Sequence, residues 1–331
     1  MYLSIIIPIK DEAESLPELL REISVLDAWS GVPPVCHSRV PPCHSRAGGN
    51  PKNDFEVIVI DDGSRDNSWA VLQGLAKEYS FLKAVRFQYN CGKAAALSLG
   101  FSLAKGEYIA TLDGDLQDNP AEIPEMIEML SKYDLVSGWK KKRYDPWHKT
   151  LPSKFFNLAV SFVCGERLHD FNCGLKVYKN EVAKSISLYG DFHRFIPVMA
   201  KWNGFKVAEK VVEHRARKHG VSKYGISRLV SGFLDLITLL FLRKFAIKPL
   251  HFFGMLGLVV CLFGLGVFGY FGFEWIQTGA LRVRPLLVLA GFAFITGIQF
   301  ISLGLLGEMI NNKTQKKEYP VAASTPESAI L

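Results

Sequence analysis

Charge is missing from two long stretches of this chain: Leu250 to Phe273 has twenty-four residues without an Asp, Glu, Lys or Arg, and Pro285 to Gly307 has twenty-three more. About twenty apolar residues cross a bilayer as a helix. A buried core helix of that length would keep a polar face, so the stretches 250–273 and 285–307 are predicted to span a membrane. Gly254, Gly257, Gly264 and Gly266 suit close helix packing in lipid. A secretory signal is not expected either, because Met1 to Ile9 runs straight into a strand-like segment without a cleavable apolar stretch. No G-x-G-x-x-G follows that first segment, which argues against a dinucleotide-binding dehydrogenase. Nor is there a P-loop, since Phe87 stands where a glycine is needed five residues before Gly92.

The 39 Lys and Arg outnumber the 32 Asp and Glu, and the excess has an address. Between residues 201 and 248 eleven basic residues face three acids. Basic excess beside apolar spans marks the cytoplasmic flank. It points to an anionic membrane surface and phosphorylated substrates, with no nucleic acid as partner. The connection from Glu274 to Arg284 then lies on the far side, and the tail 311–331 returns to the cytoplasm. Residues 229–249, apolar but interrupted by Asp235, read as an interfacial amphipathic segment. In a cytoplasmic domain the six cysteines, Cys36, Cys43, Cys91, Cys164, Cys173 and Cys261, are expected as reduced thiols.

Apolar or β-branched runs at Tyr2–Ile9, Phe55–Ile60, Lys83–Phe87, Tyr108–Leu112 and Asp134–Ser137 alternate with helix-like stretches at Glu12–Ile23, Ser68–Tyr79, Lys93–Ala104 and Ala121–Leu130. Such alternation predicts an α/β domain over 1–228 with a mostly parallel sheet covered on both faces. Residues 31–53 break the pattern with a near-duplicate, Pro-Pro-Val-Cys-His-Ser-Arg and Pro-Pro-Cys-His-Ser-Arg. They read as an inserted loop on the edge opposite the ligand crevice. A metal clip from Cys36, His37, Cys43 and His44 is disfavoured, because adjacent Cys-His pairs do not have zinc-site spacing.

Ligands in such sheets gather at the carboxyl ends of the strands, and three polar clusters fall there. Pro8 to Glu12 follows the first strand, where Glu12 can accept from a base N–H or cap a helix. Asp61-Asp62-Gly63-Ser64 follows the second, where a carboxylate can take a base imide or ribose hydroxyls. Asp113-Gly114-Asp115 follows the fourth; Gly114 permits the turn that brings both carboxylates to one side, and hard oxygens suit Mg2+ or Mn2+ carrying a diphosphate. Lys93 opens a small-residue helix near the same crevice. Arg217 and Lys223, on either side of Gly220, suit a mobile phosphate-gripping loop.

Ile-Pro-Ile-Lys-Asp-Glu, Ile-Asp-Asp-Gly-Ser, Asn-x-Gly-Lys-x-x-Ala and Leu-Asp-Gly-Asp-Leu-Gln-Asp together resemble the family 2 glycosyltransferases of the GT-A fold. The likeness is to the polyprenyl-phosphate transferases related to dolichyl-phosphate mannose synthase. Asp170-Phe-Asn-Cys-Gly-Leu-Lys176, His193-Arg-Phe and Arg217 to Tyr224, then the two spans, extend the likeness to residue 310. It implies that Pro8, Glu12 and Asp61 hold the nucleotide, with Lys10, Asp62, Lys93, Asp113 and Gly114 around the nucleotide sugar. Asp113, Asp115 and Gln117 would hold the metal diphosphate. Arg217 would bind phosphate, with Arg143, Arg194, Ser222 and Lys223 on the acceptor side, and Asp170 would orient the acceptor or sugar. Asp115, Asp170 and Arg217 are the candidate catalytic residues. Where the family commonly has Tyr-Asn this chain has Lys10-Asp11.

The implied activity is metal-dependent, inverting transfer of a sugar from a nucleotide diphosphate to undecaprenyl or dolichyl phosphate, at the cytoplasmic face of a membrane, expected to be a bacterial inner membrane. A homo-oligomer is compatible with this reading. A processive polysaccharide synthase would normally add a Q-x-x-R-W sequence and more spans. A catalytically silent scaffold would be expected to lose the metal ligands, which are intact here.

Overall fold

The computed structural model describes residues 2–28, 55–141, 160–161, 168–216, 227–245, 248–279 and 284–314. The inserted segment 31–53, the tail from 315 and the candidate residues Arg143, Arg217, Ser222 and Lys223 lie outside them. The chain forms two compact units, Met1–Leu236 and Ile237–Leu331. The expected boundary at 228/229 falls inside one helix, Ser227–Phe245, as does the division between the units.

Seven strands make the sheet of the first unit: β1 Leu3–Ile9, β2 Phe55–Asp61, β3 Leu82–Arg86, β4 Tyr108–Thr111, β5 Leu135–Trp139, β6 Lys176–Lys179 and β7 Val207–Val211, in the order β3-β2-β1-β4-β6-β5-β7. The first four are mutually parallel. β6 runs antiparallel between β4 and β5, and β7 lies parallel to β5 at the edge. β1 and β2 are near-continuous apolar runs because helices cover both faces. Ile5, Ile7, Val57 and Val59 pack on one side with α1 Leu16–Ser24 and α4 Ile123–Met129. Ile6, Ile58 and Ile60 face the other way onto Ala96, Leu97 and Phe101 of α3 Lys93–Leu103. α3 is small-residue rich because it lies tight on the sheet: a Cβ on Gly100 would overlap Ile6. The remaining helices of this unit are α2 Ser68–Glu78, α5 Asn180–Ser185, α6 Ile196–Trp202 and the first part of α7 Ser227–Phe245.

Element ends differ from expectation where the chain turns. The helix expected from Glu12 begins at Leu16, because Asp11 takes a φ of 55° and the Ser15 amide closes a turn on the Glu12 carbonyl at 3.2 Å. The segment expected from Ala121 starts as a short 3-10 turn, Pro120–Glu122, capped by Asn119 accepting from the Ala121 amide at 3.1 Å.

In the second unit α8 Pro249–Thr278 and α9 Pro285–Thr314 pack side by side. Only 17% and 11% of their most apolar windows are buried, so most of that apolar surface faces outward. Water does not favour such a surface, and lipid does. Gly257 and Gly264 provide the close approach, since a Cβ there would sit 2.5 Å from the Gly297 carbonyl and 2.9 Å from that of Ala290. Gly254 and Gly266 do not take the expected part: a Cβ on the first would meet only Leu250 of its own helix, and on the second nothing. They point away from the partner helix.

Candidate active site

The loops after β1, β2 and β3 are laced together. Asp11 donates its amide to Ser64 Oγ at 2.9 Å and accepts from the Arg65 amide at 2.8 Å. Asp61, fully buried, accepts from the Ser64 amide at 2.8 Å and pairs with Arg86 Nε at 3.3 Å. Gly63, at φ 66°, lets this loop lie against the Tyr89 backbone, where a Cβ would come within 2.7 Å. Between the laced loops opens a cleft of about 730 Å³, lined among others by Lys10, Asp11, Arg65, Arg86, Tyr89 and Asn90. That volume suits a nucleoside.

Three of the expected donor residues therefore have local tasks. Glu12 sits on its own turn, accepting from Ser15 Oγ at 3.2 Å, and its neighbour Asp11 lines the cleft instead. Asp61 shapes the cleft through Arg86. Asp62 accepts from the amides of Cys91 at 2.6 Å and Gly92 at 3.0 Å, which sets the start of α3 and so the position of Lys93.

Lys93 then reaches Asp113, Nζ to Oδ1 2.5 Å. Burial alone would raise the Asp113 pKa, but Lys93, with Lys140 and Lys176 behind it, holds the carboxyl well below the usual range. It stays ionised at any physiological pH. Gly114 is required for space, as a Cβ would lie 2.8 Å from the Ile9 side chain. Leu116 takes a φ of 62°, completing the turn that sets Asp115 and Gln117 beyond the strand end. The Gln117 amide donates to Asp115 Oδ1 at 3.3 Å.

Two walls close on this turn. Asp118 is buried and pairs with Lys140 at 2.6 Å; burial opposes the Lys140 charge, but Asp118, the Cys173 thiol and Asp113 keep its pKa above the ordinary value. Asp118 also bridges to His214, and the Arg215 amide donates to the Gln117 carbonyl at 2.9 Å. His214 and Arg215 therefore sit beside the acidic turn. The other wall is the run from His169 into β6. Glu209 on β7 accepts from the amides of His169 at 2.8 Å and Asp170 at 3.1 Å, and the His169 ring stacks on Trp139 at 4.0 Å. Asp170 is buried and accepts from the Asn172 amide at 3.0 Å. Gly174 lies directly on Asp113, whose carboxylate oxygens would be 2.5 and 2.6 Å from a Cβ there.

Of the expected residues, Pro8, Lys93, Asp113 and Arg194 line one narrow crevice, and Lys10 lines the open cleft. Arg194 is buried and donates to Asp191 at 2.9 Å. The sequence reading missed Asp11, Asp118, Lys140, Gly174 and Lys176. The acidic turn offers hard anionic oxygens of the kind Mg2+ and Mn2+ prefer. Among the described residues no three His, Cys, Asp or Glu side chains cluster as a full cage, so the donor set fits a cation that shares its shell with a diphosphate and water.

The comparisons agree with this architecture. The description "Glycosyl transferase family 2" matches residues 4–187. A dodecaprenyl-phosphate galacturonate synthase of Rhizobium johnstonii is 34% identical over 94% of this chain and 88% of its own length. An undecaprenyl-phosphate 4-deoxy-4-formamido-L-arabinose transferase of Pseudomonas fluorescens is 35% identical over 93% of this chain and 85% of its own. Among solved structures, glucosyl-3-phosphoglycerate synthase from Mycobacterium tuberculosis, crystallised with Mn2+ and UDP-glucose, shares the fold with a TM-score of 0.52 at 16% identity, over 73% of this chain and 78% of that one. With its sheet order, its acidic turn and relatives that match almost end to end, the chain belongs to glycosyl transferase family 2.

Proposed function

We propose that the protein transfers a sugar from a nucleotide diphosphate to a polyprenyl phosphate at the cytoplasmic face of a membrane, with inversion at the anomeric carbon. The observation that carries this reading is the strand-end cluster of Asp113, Asp115 and Lys93 in a chain that also has two helices with outward-facing apolar surface. Both relatives named above are polyprenyl-phosphate sugar enzymes by name, which supports a lipid phosphate as acceptor.

The laced cleft takes the nucleoside. Asp115 and Gln117 hold the divalent cation, Mg2+ or Mn2+, and Asp113, already neutralised by Lys93, contributes second and faces the sugar. The cation, when bound, offsets the charge of the departing nucleotide diphosphate. A phosphate monoester has its second pKa near ~6, so the acceptor is already mostly ionised and needs no strong base. The difficulty is bringing two anions together. Arg217 and Lys223, with Arg143, meet the phosphates, and Asp170 orients the acceptor or sugar.

A donor screen tests the reading: purified protein, undecaprenyl phosphate, Mg2+ or Mn2+ and labelled nucleotide sugars in turn, with label expected in the lipid phase. Label appearing only on a water-soluble acceptor would overturn the lipid assignment. In the same assay Gly174→Ala is expected to cut transfer by tenfold or more while the circular dichroism spectrum is unchanged, because the new methyl displaces the Asp113 carboxylate and not the core. Unchanged turnover would mean that Asp113 needs no support from that wall.

A further inference from the structure

Lys176 opens β6 opposite Thr111 of β4, with 4% of its surface exposed. Its ammonium donates to the Cys173 carbonyl, and among the described residues no carboxylate comes within ion-pairing reach. Burial, with Lys93 alongside, pushes its pKa down, against the pull of Cys173, Asp170 and Asp113. An ammonium has three donors, and one carbonyl leaves two unused. A buried charge without a counter-ion costs several kcal/mol.

This cation faces the crevice that it shares with Lys93, Thr111, Asp113 and Arg194. The other two cations there have their own acids, Lys93 with Asp113 at 2.5 Å and Arg194 with Asp191 at 2.9 Å. Lys176 is therefore the charge left over. The crevice holds about 10 Å³, which is roughly one water's worth of space. A sugar ring or a whole phosphate is too large for it, whereas one oxygen of a planar substituent fits. Asp113 stands at the rim and, in the function proposed above, faces the donor sugar.

We propose that Lys176 is a specificity-determining residue that binds a negatively charged substituent of the donor sugar, so that the favoured donors are nucleotide-activated acidic sugars of the uronic-acid class. The inference rests on the transferase reading. A carboxylate supplies the missing counter-charge, and a hydroxyl in its place leaves the ammonium uncompensated.

The test pairs acidic and neutral donors on two bases: UDP-glucuronate against UDP-glucose, and GDP-mannuronate against GDP-mannose, with the full-length protein in nanodiscs containing undecaprenyl phosphate. The acidic member of the accepted pair is expected to exceed its neutral partner tenfold or more in kcat/KM. Lys176→Met should lower kcat/KM for the acidic donor by tenfold or more and leave the neutral one within twofold, with Lys176→Arg restoring part of the preference. Preference for the neutral donor overturns the proposal and leaves the transferase reading standing. So does a Lys176→Met variant that raises only the KM for the lipid phosphate, or that lowers both donors equally. Transfer from none of the four donors, with a different nucleotide sugar accepted in the wider screen, overturns this inference and leaves the transferase reading standing; no transfer from any donor overturns both. If Lys176→Met does not fold by circular dichroism, the wild-type ratio alone decides.

Discussion

Asp115→Ala is expected to abolish transfer while the fold survives. Asp115 sits past the end of β4, and the packing there rests on Ile109 and Ala110 of the strand and on Leu112 just after it, all fully buried. In the proposed mechanism, removing the carboxylate takes away the cation ligand that Lys93 does not pair with, since Lys93 pairs with Asp113. A cation that stabilises a leaving diphosphate contributes several kcal/mol, and a loss of about 4 kcal/mol is roughly a thousandfold in rate. Asp115→Asn, which keeps the shape and loses the charge, should fall between. Chelator should reproduce the loss in the wild type and add nothing to the Ala variant. Full turnover of Asp115→Ala in excess chelator would remove the metal from the mechanism.

Transfer is expected to fall from the wild type to Arg217→Lys and further to Arg217→Ala, the last down about a hundredfold. Arg217 follows in sequence on His214 and Arg215, which are tied to the backbone of Asp118 and Gln117 at the acidic turn. Lys keeps the charge and loses the bidentate fork, and Ala loses both. One charge-assisted phosphate contact contributes roughly 3 kcal/mol, or about a hundredfold. The measurement is transfer to undecaprenyl phosphate and to a soluble free sugar, with far-ultraviolet circular dichroism as control. Efficient transfer to the free sugar, unaffected by Arg217→Ala, would sink the polyprenyl-phosphate assignment.

β1, β2 and β4 were legible because parallel strands buried on both faces leave apolar runs such as Leu-Ser-Ile-Ile-Ile-Pro-Ile, and β3 and β5 because their short apolar or β-branched runs follow helix-like stretches. β6 and β7 were not. Lys-Val-Tyr-Lys and Val-Ala-Glu-Lys-Val are short and carry charges that only their neighbours satisfy, Lys179 with Asp134 and Lys210 with Glu122. The acidic turn could be read from its spacing, since two carboxylates at a strand end announce themselves. Its supports could not. Lys140 belongs to a basic run that reads as solvated, and only the buried Asp118 beneath it makes it part of the wall. Gly174 gains meaning from a carboxylate sixty-one positions earlier in the chain. Asp11 and Glu12 are adjacent acids after one strand, and the φ of 55° at Asp11 decides which of them faces the cleft.

The helical hairpin also carries its own ruler. Near one end the Leu250 amide donates to Glu308 at 3.4 Å, and near the other Arg284 pairs with Glu274 at 3.0 Å. On each helix those marks are twenty-four residues apart, 250 to 274 and 284 to 308, which at 1.5 Å per residue is roughly 36 Å. The hydrocarbon layer of a bilayer is about 30 Å thick. Were the hairpin to cross such a layer, the two polar marks would bracket it with a few ångströms to spare on either side, and sliding by one turn in either direction would drag the Glu274 or the Glu308 side chain into the apolar layer.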